Sequence, residues 1–362
     1  MKIAYFAPIF FDYLKQRPQH IAELLANDNE VFYIEPTISV LRYLFKNDKN
    51  FKSKKIDVNA NLHIVRASGI LTIFRSLEVF DIVNIITISE YIQLRELVNS
   101  CDLIWCGDPL WYKLLSRFRN KKIVFDKMDD NEKLTDNKFL KLLIRRNEKK
   151  IILKSDVVIV SCQKFYNELF GTRDNVFLVR NGVPNNFRNM SDNYIKSEKN
   201  KGKIFGYIGM VSKWFDFHVI DVILQEDLNN KVVIVGDNLM PPITHSNVRY
   251  IPRVSKEEVA SYISNFDVCL YNFKKDSLLD TINPVKIYEY LALNKPVIAV
   301  RSIETEALSE YLLLYENDDE LRSCLSGKIT TPFKSDEEII TFIKEHSWEK
   351  IVKDIIKILS KI

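Results

Sequence analysis

The sequence predicts an α/β protein with two doubly wound units, each built on a parallel sheet that helices cover on both faces. Short apolar runs alternate with helical segments along both halves of the chain. The length of 362 residues is roughly two to three times that of a typical domain. Apolar residues make up 46% and charged residues 28% of the chain, which supplies a large core and excludes wholesale disorder.

The first half contains a series of apolar runs, each with the length of a buried strand. Between the first two runs, residues 20–26 show helical spacing, with Ile21, Leu24 and Leu25 on one face. Buried strands separated by helices are typical of a parallel sheet with both faces covered. The predicted strands lie within 2–8, 30–36, 101–109, 121–130, 156–162 and 175–182.

The second half repeats this pattern after a polar segment, 186–203, which is the predicted linker. Helices are predicted around 216–225 and from about residue 255. Two α/β units of similar size are therefore the simplest architecture. The predicted strands of the second half lie within 203–212, 231–238, 247–252, 266–273 and 295–300.

The end of the chain predicts one more helix, at 347–360, with Trp348, Ile351 and Ile355 on its apolar side. The predicted domains are 1–185 and 204–345, followed by the C-terminal segment 346–362.

Several classes of protein are excluded by simple features. No apolar run approaches the ~20 residues that a membrane-spanning helix needs. The N-terminus predicts a buried strand and not a signal peptide, because Asp12 follows early and no small-residue cleavage site comes after it. Five cysteines without C-x-x-C spacing predict reduced core thiols in a cytoplasmic protein, and five scattered histidines predict no metal cluster.

The charge is unevenly distributed, although the net value is only +4. Residues 1–185 contain 29 Lys and Arg against 22 Asp and Glu, which is +7, and residues 186–362 contain 23 against 26, which is −3. A basic first half and a mildly acidic second half predict two domains with different partners.

The segment 280–300 carries the sharpest local signal. Asn283 is a favourable N-cap, and Pro284 is placed at the first helical position, where its missing N–H costs nothing. The predicted helix 284–293 leads directly into a strand, so its N-terminus lies at the carboxyl edge of the sheet, where α/β proteins bind ligands. Free N–H groups and the positive end of the helix dipole favour a diphosphate there.

Two charged side chains extend this signal. Lys286, in the first turn, adds a cation, and Glu289 lies one turn further along the same face, where a carboxylate can accept both hydroxyls of a ribose. The alternative is an ordinary capped helix with a solvated Lys–Glu pair three residues apart.

The segment 206–216 carries a second signal at the same predicted edge. Gly206 and Gly209 permit a close backbone approach, and Lys213 follows in the loop. Two glycines alone form a weak motif, and a tight turn with a surface lysine remains the alternative.

In the first half, Asp126, Asp129 and Asp130 follow a predicted strand. Crowded carboxylates raise the pKa of at least one member, which suits a base or a group that orients a hydroxyl. The alternative is a helix N-cap at Asp129 or Asp130.

The loop and helix start after the first strand carry Arg17, Gln19 and His20, which are candidates for contacting the phosphate or sugar of an acceptor. A solvated loop with a capped helix is the alternative interpretation.

Two basic stretches, 40–55 and 138–154, mix lysine and arginine with leucine, isoleucine and phenylalanine. Such segments suit an anionic membrane surface. A solvated helix face packed on the core is the alternative, and nucleic acid is not expected, because neither stretch accompanies a known binding module.

Taken in order, these segments resemble the GT-B glycosyltransferases, particularly the retaining family 4 group and its bacterial surface-polysaccharide branch, which includes teichuronic acid biosynthesis. The resemblance covers nearly the whole chain. The segments that carry it are RPQHIAELLA, DKMDD, SDVVIVSCQKF, RNGVPNNF, GYIGMVSKWFD, NVRYIPRVSKEEVASYISNFDVCLYNF, NPVKIYEYLALNKPVIA and HSWEKI.

The resemblance implies two Rossmann-like domains facing across a cleft, with the C-terminal helix crossing back to the N-terminal domain. It also implies roles for residues of the donor site: Lys213 contacts the donor diphosphate, and Glu289 holds the nucleotide ribose. The other donor-site residues implied are Gly209 in the loop that bears Lys213, Arg253 and Val254 in the loop that reads the base, and Asn283, Pro284 and Lys286 beneath the phosphates.

Two departures bear on the mechanism. Ile282 stands where the family has the first glutamate of its E-x7-E pattern, so the sugar hydroxyls are expected to be bound differently. The chain has no D-x-D motif, so activity without an essential metal or other cofactor is expected, with a helix terminus and lysines neutralising the leaving group.

The resulting expectation is an enzyme that transfers a sugar, with retention, from a nucleoside diphosphate sugar to a hydroxyl of a lipid-linked cell-surface glycan. It would work in the cytoplasm, peripherally on the inner face of the plasma membrane. Two alternatives remain, a nucleotide-sugar 2-epimerase and a non-catalytic nucleotide-sugar binder.

Overall fold

Residues 1–39, 54–69, 72–191 and 202–362 are described by this computed structural model. They divide into two units that do not follow the chain continuously. The first unit contains Met1–Ser161, Phe165–Val179 and Val352–Ile362, and the second contains Cys162–Lys164 and Arg180–Ile351.

The first unit is built on a sheet with strand order β10-β9-β8-β7-β1-β2-β5-β4 among the described residues, numbered along the chain. Neighbouring strands are parallel except β4 and β5. A separate short pair joins β3 to β6. The bounds are β1 Lys2–Phe6, β2 Glu30–Ile34, β3 Ile38–Ser39, β4 Lys54–Asp57, β5 Leu62–Arg66, β6 Ser68–Gly69, β7 Leu103–Cys106, β8 Lys122–Lys127, β9 Val157–Val160 and β10 Val176–Leu178.

Aromatic stacking at the centre of this sheet explains the register of three strands. Tyr5 of β1 stacks on Tyr33 of β2 and on Trp105 of β7, with ring centroids 5.5 and 5.4 Å apart. The same residues are paired across the sheet, and all three side chains are buried. The helices of this part of the chain are α1 Arg17–Leu25, α2 Ile88–Ser100, α3 Tyr112–Leu115, α4 Lys138–Lys154 and α5 Gln163–Leu169.

The second unit has a sheet with strand order β13-β12-β11-β14-β15-β16, in which all neighbours are parallel. The order reverses direction between β11 and β14, and this is the position where open α/β sheets bind their ligands. The strands are β11 Ile204–Ile208, β12 Lys231–Val235, β13 Val248–Ile251, β14 Val268–Tyr271, β15 Val297–Val300 and β16 Leu313–Tyr315. The helices are α6 His218–Glu226, α7 Lys256–Ser264, α8 Val285–Ala292, α9 Ile303–Glu306, α10 Asp318–Ser326, α11 Asp336–Glu345 and α12 Trp348–Leu359.

The boundary between the units lies at Arg180, earlier than the predicted 185. Val183 explains the difference, because its N–H donates to His346 O at 3.0 Å and its carbonyl accepts from Trp348 N at 3.2 Å. The predicted linker also begins too early, since Phe187 is fully buried in the core of the second unit. Residues 192–201 of that segment, and most of the basic stretch 40–55, lie outside the described residues.

The last helix was predicted at 347–360 and is observed as α12. Its buried side chains are Trp348, Val352, Ile355 and Leu359. The residues from Val352 onward belong to the first unit, while the start of the helix belongs to the second. No helix in the described part of the chain is long and apolar enough to cross a membrane.

A buried acidic cluster in the first unit contains one guanidinium for two carboxylates. Arg75 Nε lies 2.9 Å from Glu78 Oε1, and Arg75 Nη2 lies 3.3 Å from Glu90 Oε1. Both glutamates are fully buried. Burial raises the pKa of Glu78 to about 7, and Arg75 opposes this rise. Glu78 therefore holds a proton in the folded protein at pH values where the unfolded chain has lost it.

Replacing Glu78 by glutamine should flatten the dependence of stability on pH. In the wild type, the pKa of Glu78 is raised from 4.5 to about 7, so stability falls as the pH rises through that window. The loss amounts to about 3 kcal/mol. Urea unfolding at pH 5 and pH 8 should show this loss shrinking in Glu78→Gln and persisting in Glu96→Gln, a control at an exposed site. Identical pH profiles for wild type and Glu78→Gln would contradict it.

Candidate functional site

The candidate site lies at the carboxyl edge of the second sheet, where two loops and a helix start come together. Gly209 follows β11 directly, and its φ of +153° is a conformation that side chains disfavour. A Cβ added to Gly209 would lie 2.2 Å from Lys286 Cε and 3.1 Å from Lys286 Nζ. The Lys286 side chain therefore lies directly against the Gly209 backbone, and the two strongest sequence signals occupy one place.

Backbone hydrogen bonds fix this loop to the next one along the sheet. Gly209 N donates to Val235 O at 2.8 Å, and Val211 N donates to Asp237 O at 2.9 Å. Gly236 has a φ of +138° and lies close to Gly209 O. A Cβ at position 236 would lie only 2.3 Å from that oxygen, so a side chain would clash there. The loop that carries Lys213 is thus held at its base, and the Lys213 side chain is exposed.

Glu289 lies one helical turn beyond Lys286 and is half-buried. Burial raises the pKa of the Glu289 carboxyl, while Lys286 and Lys256 oppose the rise. The carboxylate thus lies within the electrostatic influence of two lysines and remains partly accessible. This is a suitable setting for a group that accepts hydrogen bonds from ligand hydroxyls.

The loop after β13 carries the predicted base-reading residues. Arg253 is exposed, and its Nη1 lies 3.6 Å from Asp237 Oδ2 in the loop after β12. Val254 is half-buried and packs against the core of the second unit. The two side chains differ accordingly, since only Arg253 presents a charged group to solvent.

The start of α8 differs from the prediction by one residue. The helix begins at Val285 with Pro284 at the N-cap, and Asn283 does not cap it. Instead, Asn283 is buried, its Oδ1 accepts from Asn181 N at 2.8 Å, and its Nδ2 donates to Glu304 Oε2 at 2.6 Å. The amide of Asn283 is engaged with distant parts of the chain, which explains why the helix uses the next residue as its cap.

Glu304 is the centre of this network and was missed by the sequence analysis. Its buried carboxylate accepts from Gln163 N at 2.6 Å and from Arg180 Nε at 3.0 Å, besides Asn283. Gln163 and Arg180 lie next to points where the chain passes from one unit to the other. Glu304 therefore links the start of the α8 segment to Gln163 at the start of α5 and to Arg180 after β10.

In the first unit, two predicted functional residues bind each other. Asp126 Oδ1 accepts from Arg17 Nη2 at 2.9 Å, and Asp126 Oδ2 accepts from Arg17 Nε at 3.1 Å. Arg17 Nη1 also donates to Val179 O at 2.9 Å. Both side chains are buried, so the pair neutralises itself inside the protein. This arrangement favours a structural role over contact with a substrate.

Gln19 and His20 also face inward from the first turn of α1. Gln19 Oε1 accepts from Gln16 N at 3.0 Å in a capping box, and Gln19 Nε2 donates to the carbonyls of Phe10 and Leu14. His20 is buried beside it. The capped helix, which was the alternative interpretation, describes this segment, and the acceptor contacts of these residues stay a prediction.

Asp129 and Asp130 differ in their surroundings. Asp130 pairs with Lys133 at 2.9 Å, whereas no described residue forms a hydrogen bond with the Asp129 carboxylate. Asp129 is exposed, yet the protein around its carboxyl raises the pKa of that group by desolvation, with Arg17 opposing and Asp126 adding to the rise. Asp129 is therefore the better candidate for a base in the first unit.

Asp108 is a second carboxylate that the sequence analysis did not identify. Burial raises its pKa to about 6, and the hydrogen bond from Leu110 N, 2.7 Å from Asp108 Oδ1, opposes this. Asp108 follows β7, and β7 lies next to β8, which Asp129 and Asp130 follow. This position could have identified Asp108 from the sequence. Among the described residues, no group of three or more His, Cys, Asp and Glu side chains is arranged to hold a metal ion.

Solved structures share the architecture of this chain over its whole length. A trehalose-6-phosphate enzyme from E. coli superposes with a TM-score of 0.69 at 10% identity, covering 100% of this chain and 99% of that one. HepE from Anabaena superposes with a TM-score of 0.64 at 12% identity, covering 100% of both chains. OtsA gives a TM-score of 0.68 at 10% identity, covering 100% and 99%. The chain has the GT-B fold.

The sequence similarity of this chain to a curated protein covers less of the chain than its structural similarity to solved proteins. TuaH from Bacillus subtilis (strain 168), provisionally named a teichuronic acid biosynthesis glycosyltransferase, is 24% identical over 204 residues. The aligned region covers 51% of this chain and 50% of TuaH, so the chain spans about half the length of the curated relative that it matches. No family model matches the chain.

Proposed function

We propose that this protein is a glycosyltransferase that moves a sugar from a nucleoside diphosphate sugar to a hydroxyl of a bacterial cell-surface glycan. The observation that carries the proposal is the contact between Lys286 and Gly209 at the start of α8. It places a cation and a helix N-terminus at the switch point of a parallel sheet, and both stabilise a diphosphate.

Each donor-site residue has a part in this proposal. The positive end of the α8 dipole and the Lys286 ammonium stabilise the charge that develops on the leaving diphosphate. Lys213 adds a second, exposed cation, and Glu289 accepts the ribose hydroxyls. The chain's own lysines and helix supply this stabilisation, so we propose activity without an essential metal.

Likeness to other proteins supports the choice of donor and acceptor. HepE was solved with UDP and with UDP-glucose, and the trehalose-6-phosphate enzyme was bound with UDP-2-fluoro glucose. Uridine diphosphate is therefore the first nucleotide to test. The naming of TuaH supports a surface polysaccharide as acceptor. The lipid linkage of that acceptor rests on the basic stretches, of which 138–154 forms the whole of α4.

We propose that the transfer retains the anomeric configuration of the donor, and that the sugar hydroxyls are bound without the glutamate that the family resemblance implies. Ile282, in place of a glutamate, is half-buried against the core of the second unit. Of its polar neighbours, Thr281 donates to Leu278 O at 2.6 Å, and Asp280 lies near Ile303 N at 3.4 Å. The coupling constant of the anomeric proton in the product would identify the configuration. On the acceptor side, Asp129 is the proposed group that orients the hydroxyl.

Thermal unfolding in the presence of uridine, guanosine, thymidine and adenosine diphosphates tests the donor site. A nucleotide that binds only the folded protein raises its melting temperature. We expect one of the four to do so, and Glu289→Ala to weaken its binding about 10- to 100-fold, because hydrogen bonds from two hydroxyls to a carboxylate are lost. Glu337→Ala, at an exposed glutamate on α11, is the control.

Three results would contradict the proposal. Absence of any nucleotide-induced shift would remove the donor site, and an unchanged affinity in Glu289→Ala would remove its ribose role. Conversion of the donor to an isomeric sugar nucleotide without acceptor would identify an epimerase instead.

A further inference from the structure

The first unit exposes a group of large apolar side chains that the sequence analysis did not identify. They lie in the segment 77–92, between the Arg75 cluster and the first turns of α2. Ile82 is 94% exposed, Val83 71% and Phe80 64%. The apolar patch consists of Leu77, Phe80, Ile82, Val83, Ile85, Ile88 and Ile92.

The apolar patch is continuous with the basic helix α4. The ring of Phe80 packs edge-on against Phe139 in the first turn of α4, with centroids 5.7 Å apart. Arg146 Nη1 donates to Val79 O at 3.1 Å. Two further exposed apolar side chains of α4, Phe139 and Leu142, extend the patch along the helix. Clusters of exposed apolar side chains with polar residues around them commonly mark a surface that binds a protein or a membrane.

The charges around the patch are predominantly positive. Residues 138–154 contain seven lysines and arginines and one acid, Glu148, which pairs with Lys127 at 2.7 Å. Lys138, Arg146 and Lys149 are exposed on this helix. Arg145 pairs with Glu132, and the outer face of α2 carries both Arg95 and Glu96. The charges of these four residues therefore add nothing to the net charge around the patch.

Asp81 is the one partly exposed acid of segment 77–92, and it offsets only part of this charge. Glu78 and Glu90 are buried beneath the segment, in contact with Arg75. The Asp81 carboxylate accepts from the N–H groups of Ile85 and Ile86, at 2.9 and 3.0 Å. The outward surface therefore combines aliphatic side chains with a positively charged border.

We propose that the apolar patch inserts into the surface of an anionic bilayer, with α4 lying over the lipid headgroups. Apolar side chains at the headgroup boundary, flanked by lysine and arginine, are the combination by which proteins bind one leaflet without spanning it. A second copy of this chain fits less well, because the basic borders of two such faces would repel each other. The proposal rests on the lipid-linked acceptor of the proposed function, and it adds residues outside both basic stretches to the membrane contact that those stretches predict.

Co-sedimentation with lipid vesicles tests the proposal and needs no enzymatic activity, so its failure is distinguishable from failure of the proposed function. The full chain should sediment with vesicles of phosphatidylcholine and phosphatidylglycerol and stay in solution with phosphatidylcholine alone. Ile82→Ser with Val83→Ser should lower the partition constant at least tenfold, because two aliphatic side chains no longer enter the boundary. The control is Leu228→Ser, at an aliphatic residue of the second unit that is 81% exposed.

A second variant tests the charged border. Lys138→Gln with Lys149→Gln should weaken binding roughly fivefold for each lysine and reduce its dependence on salt. Equal binding to neutral and anionic vesicles would overturn the proposal, as would unchanged binding of the Ile82→Ser, Val83→Ser variant. The proposal would also be overturned if the wild type is a dimer, the Ile82→Ser, Val83→Ser variant is a monomer, and neither protein binds vesicles. The patch would then mediate self-association.

Discussion

Replacing Lys286 by alanine should lower kcat/KM with a nucleotide-sugar donor about 100-fold, with little change in stability. The Lys286 side chain is half-buried against Gly209 at the start of α8, where we propose that the leaving diphosphate binds. Removing one preorganised group of this kind typically costs two to three orders of magnitude in rate. Steady-state kinetics with the nucleotide identified by thermal unfolding would measure the loss.

Gly209→Ala offers an independent route to the same result. At a φ of +153°, with a new Cβ only 2.2 Å from Lys286 Cε, the substitution strains the loop and displaces the lysine without removing its charge. Lys328→Ala, at an exposed lysine, is the control and should behave as wild type. If Lys286→Ala kept wild-type kcat/KM, the diphosphate would have to be bound elsewhere.

Replacing Arg17 by methionine should destabilise the first unit by about 3–5 kcal/mol, because it leaves the Asp126 carboxylate buried without its cation. Arg17→Met with Asp126→Leu removes both charges and should recover most of the loss. Urea unfolding measures both effects. If the double variant is stable, its activity separates the two roles of Arg17: retained transfer supports the structural ion pair, and lost transfer with an intact donor site supports acceptor contact.

General rules of parallel sheets were enough to predict that the loop after β11 and the start of α8 lie at one edge of the sheet. Gly209 and Lys286 lie far apart in the chain, yet both follow central strands, and the carboxyl ends of such strands meet at one edge. Their contact needed no knowledge of side-chain packing. By contrast, the shift of the helix start from Pro284 to Val285 depends on side-chain packing, because the Asn283 amide forms hydrogen bonds with Asn181 and Glu304.

Two features lay beyond sequence reasoning for a physical reason. Glu304 lies in a short helix with no motif of its own, and its partners come from distant parts of the chain, so only the folded structure shows that its carboxylate is saturated. Arg17 and Asp126 were both identified as polar residues after strands. The pattern that identifies such residues does not show whether they face a substrate or each other.

The assignment of Val352–Ile362 to the first unit has a consequence for biosynthesis. A ribosome releases these residues only after the second unit, long after the other strands and helices of the first unit have emerged. Within them, Ile355 and Leu359 are buried, and the Lys361 ammonium lies 5.6 Å from the centroid of the Phe177 ring. The first unit is therefore completed only after the second unit has been translated, and until then its nascent chain would expose apolar surface for chaperones to cover.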